Sequence, residues 1–371
     1  MASVAPERLA DLTSGVRRLA LVGLAKNTGK TETLATILAE LAAAGVVVGV
    51  TSIGRDGEEH DVIDARIAKP RVHLREGSLV ASTGELLSAS GVAHERLSQT
   101  GVRTPLGEVV LARLSEPGAV EIAGPSAAAD VRAVCAEMEA LGAEQVLIDG
   151  AVDRRAASSP AVADGLVVAT GAVIAREIDA VVDATAQAVD VIRLPRLQPD
   201  GAASAGTDGG GSDDGAGTDG DGTDDDGASG EGDGGAGSDD VVTVARELVL
   251  SGEPAQIAAL LRVHPHAHTL RVEGALGESF LDGLLAARRE RAGRELRVVI
   301  GDPTRAFLTR RGPRWYAKAG VSLAVLQTID LRAITVNPVA PMSHSFDSRE
   351  LRERISSAVG DVPVVDVRAL D

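Results

Sequence analysis

The chain has 371 residues, is 44% hydrophobic and carries a formal net charge of -17; that is enough for two domains with real cores. A single cysteine, Cys135, excludes an internal disulfide and a cysteine-rich metal site. The five aromatic residues all lie at or after Phe280, so the first 198 residues must build their core from Ala, Val, Leu and Ile, and no aromatic there can stack on a base.

The N-terminus, MASVAPERLADLTSG, has no apolar signal core, and the longest apolar stretch, Leu41 to Val50, is too short to span a bilayer. Cytoplasmic residence and no membrane partner are expected. The first element is a buried strand over Leu19–Gly23, which runs into VGLAKNTGKTETL from Val22 to Leu34 and a helix over Thr31–Leu41. Leu34, Ile37, Leu38 and Leu41 repeat at helical spacing. A strand feeding such a loop into a helix is the setting of a phosphate-binding loop: backbone N–H groups converge on an anion, and the helix N-terminus adds positive partial charge. Gly23, Lys26, Asn27, Thr28, Gly29, Lys30, Thr31 and Glu32 are the expected nucleotide contacts. Lys30 would reach the outer phosphates and the Thr31 hydroxyl would hold Mg²⁺. The usual leading glycine falls at Leu24, with Gly23 one residue early, and Lys26 is one place off from the extra lysine of the dimer-forming version of this loop. That type of dimer is therefore not inferred.

A second strand, Val46–Ser52, leads into TSIGRDGE, where Asp56 or Glu58 could orient water or Mg²⁺ and Arg55 could contact phosphate. A plain polar turn around Gly54 and Gly57 fits equally well. Strands over Val109–Leu114 and Ala119–Ala123 flank Glu116-Pro117-Gly118, which reads as an antiparallel hairpin. In the helix over Ala127–Leu141, Cys135 shares helical spacing with Val131 and Met138, as a core thiol would. The run Gln145-Val146-Leu147-Ile148-Asp149-Gly150 is a buried strand that delivers a carboxylate to the mouth of the sheet. Asp149 is the expected Mg²⁺ partner. Just beyond it, Asp153, Arg154 and Arg155 are either a solvated surface group or the source of an arginine that stabilises a transferring phosphoryl group. The candidate catalytic residues are thus Lys30, Asp56, Asp149 and Arg154, with Thr31 and Asp149 as metal ligands. A strand over Leu166–Thr170 and a helix over Ile174–Val189 complete a domain over 1–198: α/β, a mainly parallel sheet with helices on both faces.

From Pro199 to Asp240 the composition collapses to Gly, Asp, Ser, Thr and Ala, with 12 Asp, one Glu and no basic residue. Such a tract cannot bury enough apolar surface to offset its ordering entropy, and it reads as a disordered acidic linker of roughly 35 Å root-mean-square span. With most of the acidity there and neither flank strongly basic, no nucleic-acid partner is expected. Residues 241–371 show a second alternation: strands over Thr269–Val272, Leu296–Ile300, Leu323–Leu326, Ala333–Val336 and Val364–Val367, and helices over Glu278–Arg288 and Arg349–Val359. A smaller C-terminal α/β domain is the simplest organisation. His264, His266 and His268 would share one face of an extended segment but have no carboxylate or thiol clustered with them, so a surface strand is expected over a metal site. Trp315 and Tyr316 beside Arg310, Arg311, Arg314 and Lys318 are either a docking patch or a packed hairpin.

GLAKNTGKTETL, TSIGRDGEEHD, KPRVHLREGSLVAS, IAGPS, LIDGAVDRRAASSPAVADGLVVATGAV and ITVNPVAPMSHSFD together resemble the P-loop subunit of the reactivase for the adenosylcobalamin-dependent lysine 5,6-aminomutase. The likeness covers most of residues 18 to 195 and the tail from about Ala333; the acidic tract is not part of the pattern. It implies a P-loop NTPase-like fold and an ATPase that needs Mg²⁺ and ATP and opens the mutase so that damaged cobalamin leaves and intact adenosylcobalamin enters. It also implies two partners, the aminomutase and a second reactivase subunit, and brings forward Arg154 and Ser159, which lie in the shared DGAVDRRAASSP block. No Asp-x-His-x-x-Gly element is present, so this chain is not expected to hold cobalamin through a histidine; no Asn-Lys-x-Asp segment is present either, which favours ATP over GTP. Two alternatives stay open on the residues alone: a P-loop small-molecule kinase or ATP-dependent ligase, and a nucleotide-regulated binding protein with negligible turnover.

Overall fold

Short runs of Val, Leu, Ile and Ala that are apolar on both faces can be buried only inside a sheet covered on each side. The computed structural model describes residues 8–53, 71–150, 158–197, 241–288, 295–341 and 343–368. The first stretch of chain supplies α1 (Leu9–Leu12), β1 (Arg18–Gly23), α2 (Lys30–Ala43), β2 (Val48–Ser52), β3 (Val72–Leu74), β4 (Leu79–Thr83) and α3 (Gly84–Ser90). It continues with β5 (His94–Thr104), β6 (Gly107–Leu114), β7 (Gly118–Val120), α4 (Ala128–Ala140), β8 (Gln145–Asp149), β9 (Gly165–Gly171) and α5 (Ile178–Ile192). A middle stretch holds β10 (Val241–Val244), α6 (Arg246–Ser251), α7 (Pro254–Val263), β11 (Thr269–Val272), β12 (Leu276–Gly277), α8 (Glu278–Arg288), β13 (Leu296–Ile300), β14 (Ala306–Phe307), α9 (Pro313–Lys318) and β15 (Val321–Val325). The chain closes with β16 (Leu331–Asn337), α10 (Ser348–Val359) and β17 (Val364–Asp366).

Nine strands form one sheet in the order β17-β16-β9-β1-β8-β2-β4-β6-β5. Pairing is parallel from β17 to β4 and antiparallel where β6 joins β4 and β5. Alternate side chains along a strand point to opposite faces, and two cores result. Leu19, Leu21, Val48 and Val50 pack with Leu34, Ile37 and Leu38 of α2 on one face. Ala20, Val146, Ile148 and Val168 pack with Val131, Val134, Cys135 and Met138 of α4 on the other, and Ile334 and Val336 meet α5 and α10 through Val181, Val189, Leu351 and Ile355. Helices therefore flank both faces. Each fully buried Leu or Ile contributes roughly 1.5–3 kcal/mol, which is how a core without aromatics holds a helix such as α2. Burial also pushes the Cys135 thiol up to about 12, so it is a packing group.

β10, β11, β13 and β15 form a second, all-parallel sheet in that order, with Phe280 and Tyr316 fully buried in its core. The segment that follows α5 lies beside this sheet's last strand: Leu197 N donates to Val325 O at 2.7 Å, and Val325 N donates to Pro195 O at 2.9 Å. Here the expected division at 241–371 is corrected. The second unit spans β10 to β15, and residues 331–368 return to the large sheet, where β16 pairs with β9 and β17 with β16. The small sheet is thus an insertion in the crossover from α5 to β16. An apolar run such as Ala-Ile-Thr-Val reads alike in either sheet, because its partner lies more than 150 residues away.

The hairpin expected around Glu116-Pro117-Gly118 is also corrected. β7 pairs antiparallel with β3 instead, while β6 pairs with β4 and β5. β5 is an edge strand of largely polar residues, HERLSQTGVRT; its one-sided burial hides it from a reading based on apolar runs. The acidic tract lies outside the described residues.

Candidate functional site

In a parallel sheet the carboxyl ends of all strands lie along one edge, where ligands collect. β1 is central, with β8 on one flank and β9, β16 and β17 on the other. At this edge stand the loop after Gly23, Asp149 at the end of β8, Ser52 at the end of β2, and Asn337 at the end of β16. The IAGPS segment closes over it: Gly124 N donates to Ser52 Oγ at 2.9 Å.

The loop is fastened at both ends. Leu24 N donates to Ala169 O at 2.8 Å, and Thr28, buried, donates from Oγ1 to Ala25 O at 3.1 Å. A Cβ on Gly23 would lie 2.5 Å from that Thr28 hydroxyl, so the early glycine is the one this turn requires. Gly29 caps α2 in the left-handed region, φ 88°, a conformation that costs glycine little. Asn27 shares the left-handed region at φ 64°, which asparagine tolerates better than most residues. The first N–H groups of an α-helix have no carbonyl within the helix to bond, and those of α2 begin at Lys30. Gly23 and residues 25–32 form one wall of a cavity of about 650 Å³, and Asn337, Val339, Pro341 and Arg368 form the other. All eight expected contacts, Gly23, Lys26, Asn27, Thr28, Gly29, Lys30, Thr31 and Glu32, are in that wall.

Lys30 Nζ is ion-paired and hydrogen-bonded to Asp149 Oδ1. The two side chains are 24% and 30% exposed, and a pair this open contributes little to stability. It can exchange partners when an anion enters.

Three residues that sequence reasoning did not assign come from the returning strands. Thr335 Oγ1 lies 2.7 Å from Thr33 Oγ1 of α2. Asn337 Nδ2 donates to Asn27 O at 3.4 Å, while its Oδ1 accepts from Val339 N at 3.1 Å. Arg368 donates to Glu32 through Nη2 at 2.7 Å and Nε at 3.3 Å, and this pairing with Glu32 raises its pKa above the usual arginine value. Asn337 stands inside ITVNPVAPMSHSFD, where a signal existed; Arg368 carried none.

Asp56 and Arg154 lie outside the described residues, as do Arg55, Glu58, Asp153 and Arg155. Ser159 is described, and its carbonyl accepts from Val162 N at 2.8 Å and Ala163 N at 3.0 Å. His264 follows the last turn of α7, and among the described residues no group of three or more His, Cys, Asp or Glu is placed to hold a metal ion. Trp315 and Tyr316 lie in a short helix, α9, where the hairpin alternative is corrected: Tyr316 is buried and donates to Asp282 Oδ1 at 3.2 Å, and Arg311 stacks 4.1 Å over the Trp315 ring.

A second cavity, about 370 Å³, is walled by Val22, Leu24, Val168, Val191, Leu308 and Ile329, among others, and shares Gly23 with the first. It lies where the inserted sheet meets the large one. No family model matches the chain, and searches of curated proteins and of solved structures return no relative. No helix among the described residues is long and apolar enough to cross a membrane.

Proposed function

We propose that this chain is a P-loop NTPase that binds and hydrolyses Mg·ATP and acts as the nucleotide-binding subunit of a reactivating factor for an adenosylcobalamin-dependent aminomutase. The observation that carries the nucleotide reading is the Lys30–Asp149 pair at the mouth of a left-handed, glycine-capped loop. The mutase reading rests on the resemblance in the motifs around it.

The residues fit a nucleoside triphosphate with Mg²⁺. The cavity is open at the N-terminus of a 14-residue helix, where phosphate is favoured by free N–H groups and the helix dipole. Lys30 would reach the outer phosphates in place of Asp149, and Asp149 with the Thr31 hydroxyl would hold Mg²⁺. Mg·ATP supplies the transferable phosphoryl group and the free energy of its hydrolysis. Asn337 and Thr335 hold the loop and the first turn of α2 against β16, so the backbone donors of the loop are in place before phosphate arrives. Thr335 and Asn337 touch α2 and the loop through hydrogen bonds, and β16 follows β15 of the insert closely in the chain, so a change at the loop has a short path to a second unit. Opening of the mutase, so that damaged cobalamin leaves, would then follow from two arrangements of that unit favoured by different nucleotide states.

The test is phosphate release from Mg·ATP by the purified chain, alone and with an inactivated aminomutase plus fresh adenosylcobalamin. Hydrolysis stimulated by the mutase, with recovered mutase activity, is expected. Lys30→Ala should abolish nucleotide binding with an unchanged circular dichroism spectrum; retained affinity would remove the nucleotide reading.

The apolar cavity beside Gly23 favours one alternative, a small-molecule kinase or ATP-dependent ligase whose acceptor sits behind the loop. Transfer of phosphate to a metabolite, with no response to a mutase, would select it.

A further inference from the structure

We propose that Arg368 is a direct ligand of the bound nucleotide, meeting the phosphates nearest the nucleoside and exchanging Glu32 for them. The inference rests on the nucleotide reading and goes beyond it by assigning a second cation and a direction to the ligand. The sheet order sets that direction. Asp149 ends β8, on one flank of β1, whereas Arg368 follows β17, on the opposite flank beyond β9 and β16. The Lys30–Asp149 pair marks one end of the helix mouth and Arg368 the other.

Arg368 is mounted as a fixed donor would be. Its own N–H donates to Asp366 Oδ1 at 2.9 Å, and the 4% exposed Asp366 carboxylate is also hydrogen-bonded by Ser348 Oγ at the start of α10. The guanidinium projects to the cavity wall, 45% exposed, and meets Glu32, also 45% exposed, in the first turn of α2. A carboxylate there suits the helix dipole but repels an incoming phosphate. The ion pair with Arg368 neutralises it. A planar fork with several N–H donors can turn from carboxylate to phosphate with similar geometry, and the loosely held ion pair opposes this weakly.

Two roles for Arg368 must be separated: a ligand, or only a screen for Glu32. Titration calorimetry with Mg·ADP and Mg·ATP separates them on wild type, Arg368→Ala, Glu32→Gln and the double variant, with Lys30→Ala as the reference for a failed phosphate site. Expected is a loss of about tenfold or more on removing Arg368. The loss should be equal for ADP and ATP, because the inner phosphates are common to both, and it should persist when Glu32 is already Gln. Arg368→Lys should recover part of it. If the double variant binds as tightly as Glu32→Gln alone, Arg368 is only a screen and the proposal is wrong. Wild-type affinity in Arg368→Ala, with binding lost in Lys30→Ala, overturns it while sparing the nucleotide reading. Absence of nucleotide binding by wild type removes both. Equal thermal melting of the variants establishes that each is folded.

Discussion

The large sheet and the inserted sheet share a parallel plan, yet they use charge in opposite ways. In the insert, Glu278 is 8% exposed and accepts from Thr309 N at 3.1 Å, Arg310 N at 2.7 Å, Arg311 N at 3.0 Å and Arg310 Nε at 2.9 Å. Burial pushes its carboxyl up, but the bonds from the Arg310 side chain and from three successive backbone groups outweigh it and hold the group at about 2. In the large sheet, Lys30 and Asp149 sit half-exposed at a cavity. A buried carboxylate with several donors committed to it is a brace, whereas a partly exposed pair beside a cavity is free to exchange partners. The cores differ as well. The insert is centred on Phe280 and Tyr316, whereas the strands around the loop are packed entirely by aliphatic groups, with one methionine and one cysteine.

The largest effect that can break this contrast comes from the insert's core. Phe280→Ala should destabilise the insert by about 3–5 kcal/mol, lowering its urea midpoint while leaving Mg·ATP affinity within twofold. A parallel loss of affinity would mean that the two units do not divide stability and binding between them. Next is Glu278→Gln, which removes charge from the brace and is expected to cost about 2 kcal/mol. The pH dependence follows from the sign of the shift. The folded-state pKa, about 2, lies below the ordinary 4.5, so the stabilisation is complete above about pH 4.5 and is lost as the pH falls toward 2. Acid unfolding followed by tyrosine and tryptophan fluorescence should show wild-type stability falling between pH 4.5 and 2. The Gln variant should be flatter than wild type between pH 4.5 and 2. The smallest effect is expected from replacing residues 199–240 with an uncharged Gly/Ser segment of equal length, which keeps the span from Leu197 beside β15 to Val241 at the opposite edge of the sheet; the melting temperature should stay within about 2 °C. A large loss would give the acidic tract a structural role.

Much of the frame was legible because period and context are local properties. The strand, loop and helix around Lys30 follow from apolar runs and from Gly29-Lys30-Thr31, and they lie within a residue or two of the expected bounds. The helices expected over Glu278–Arg288 and Arg349–Val359 match α8 and α10 more closely still. The edge strand β5 was missed because half of its residues face outward and are polar. Tyr316 could be placed in a basic-aromatic cluster, but its burial against Asp282 depends on α8, some 30 residues earlier.

The sequence by itself determined the strand, Gly-Lys-Thr loop and helix around Lys30, the buried parallel strands, the aliphatic core and the acid at the end of β8, since each depends on spacing within a dozen residues. Only the tertiary structure decided that the chain returns to its first sheet after the insert, and hence that Thr335, Asn337 and Arg368 complete the loop from more than 300 residues away. Strand order is fixed by which hydrophobic faces cover one another, and that is a property of the whole packed molecule that no local pattern carries.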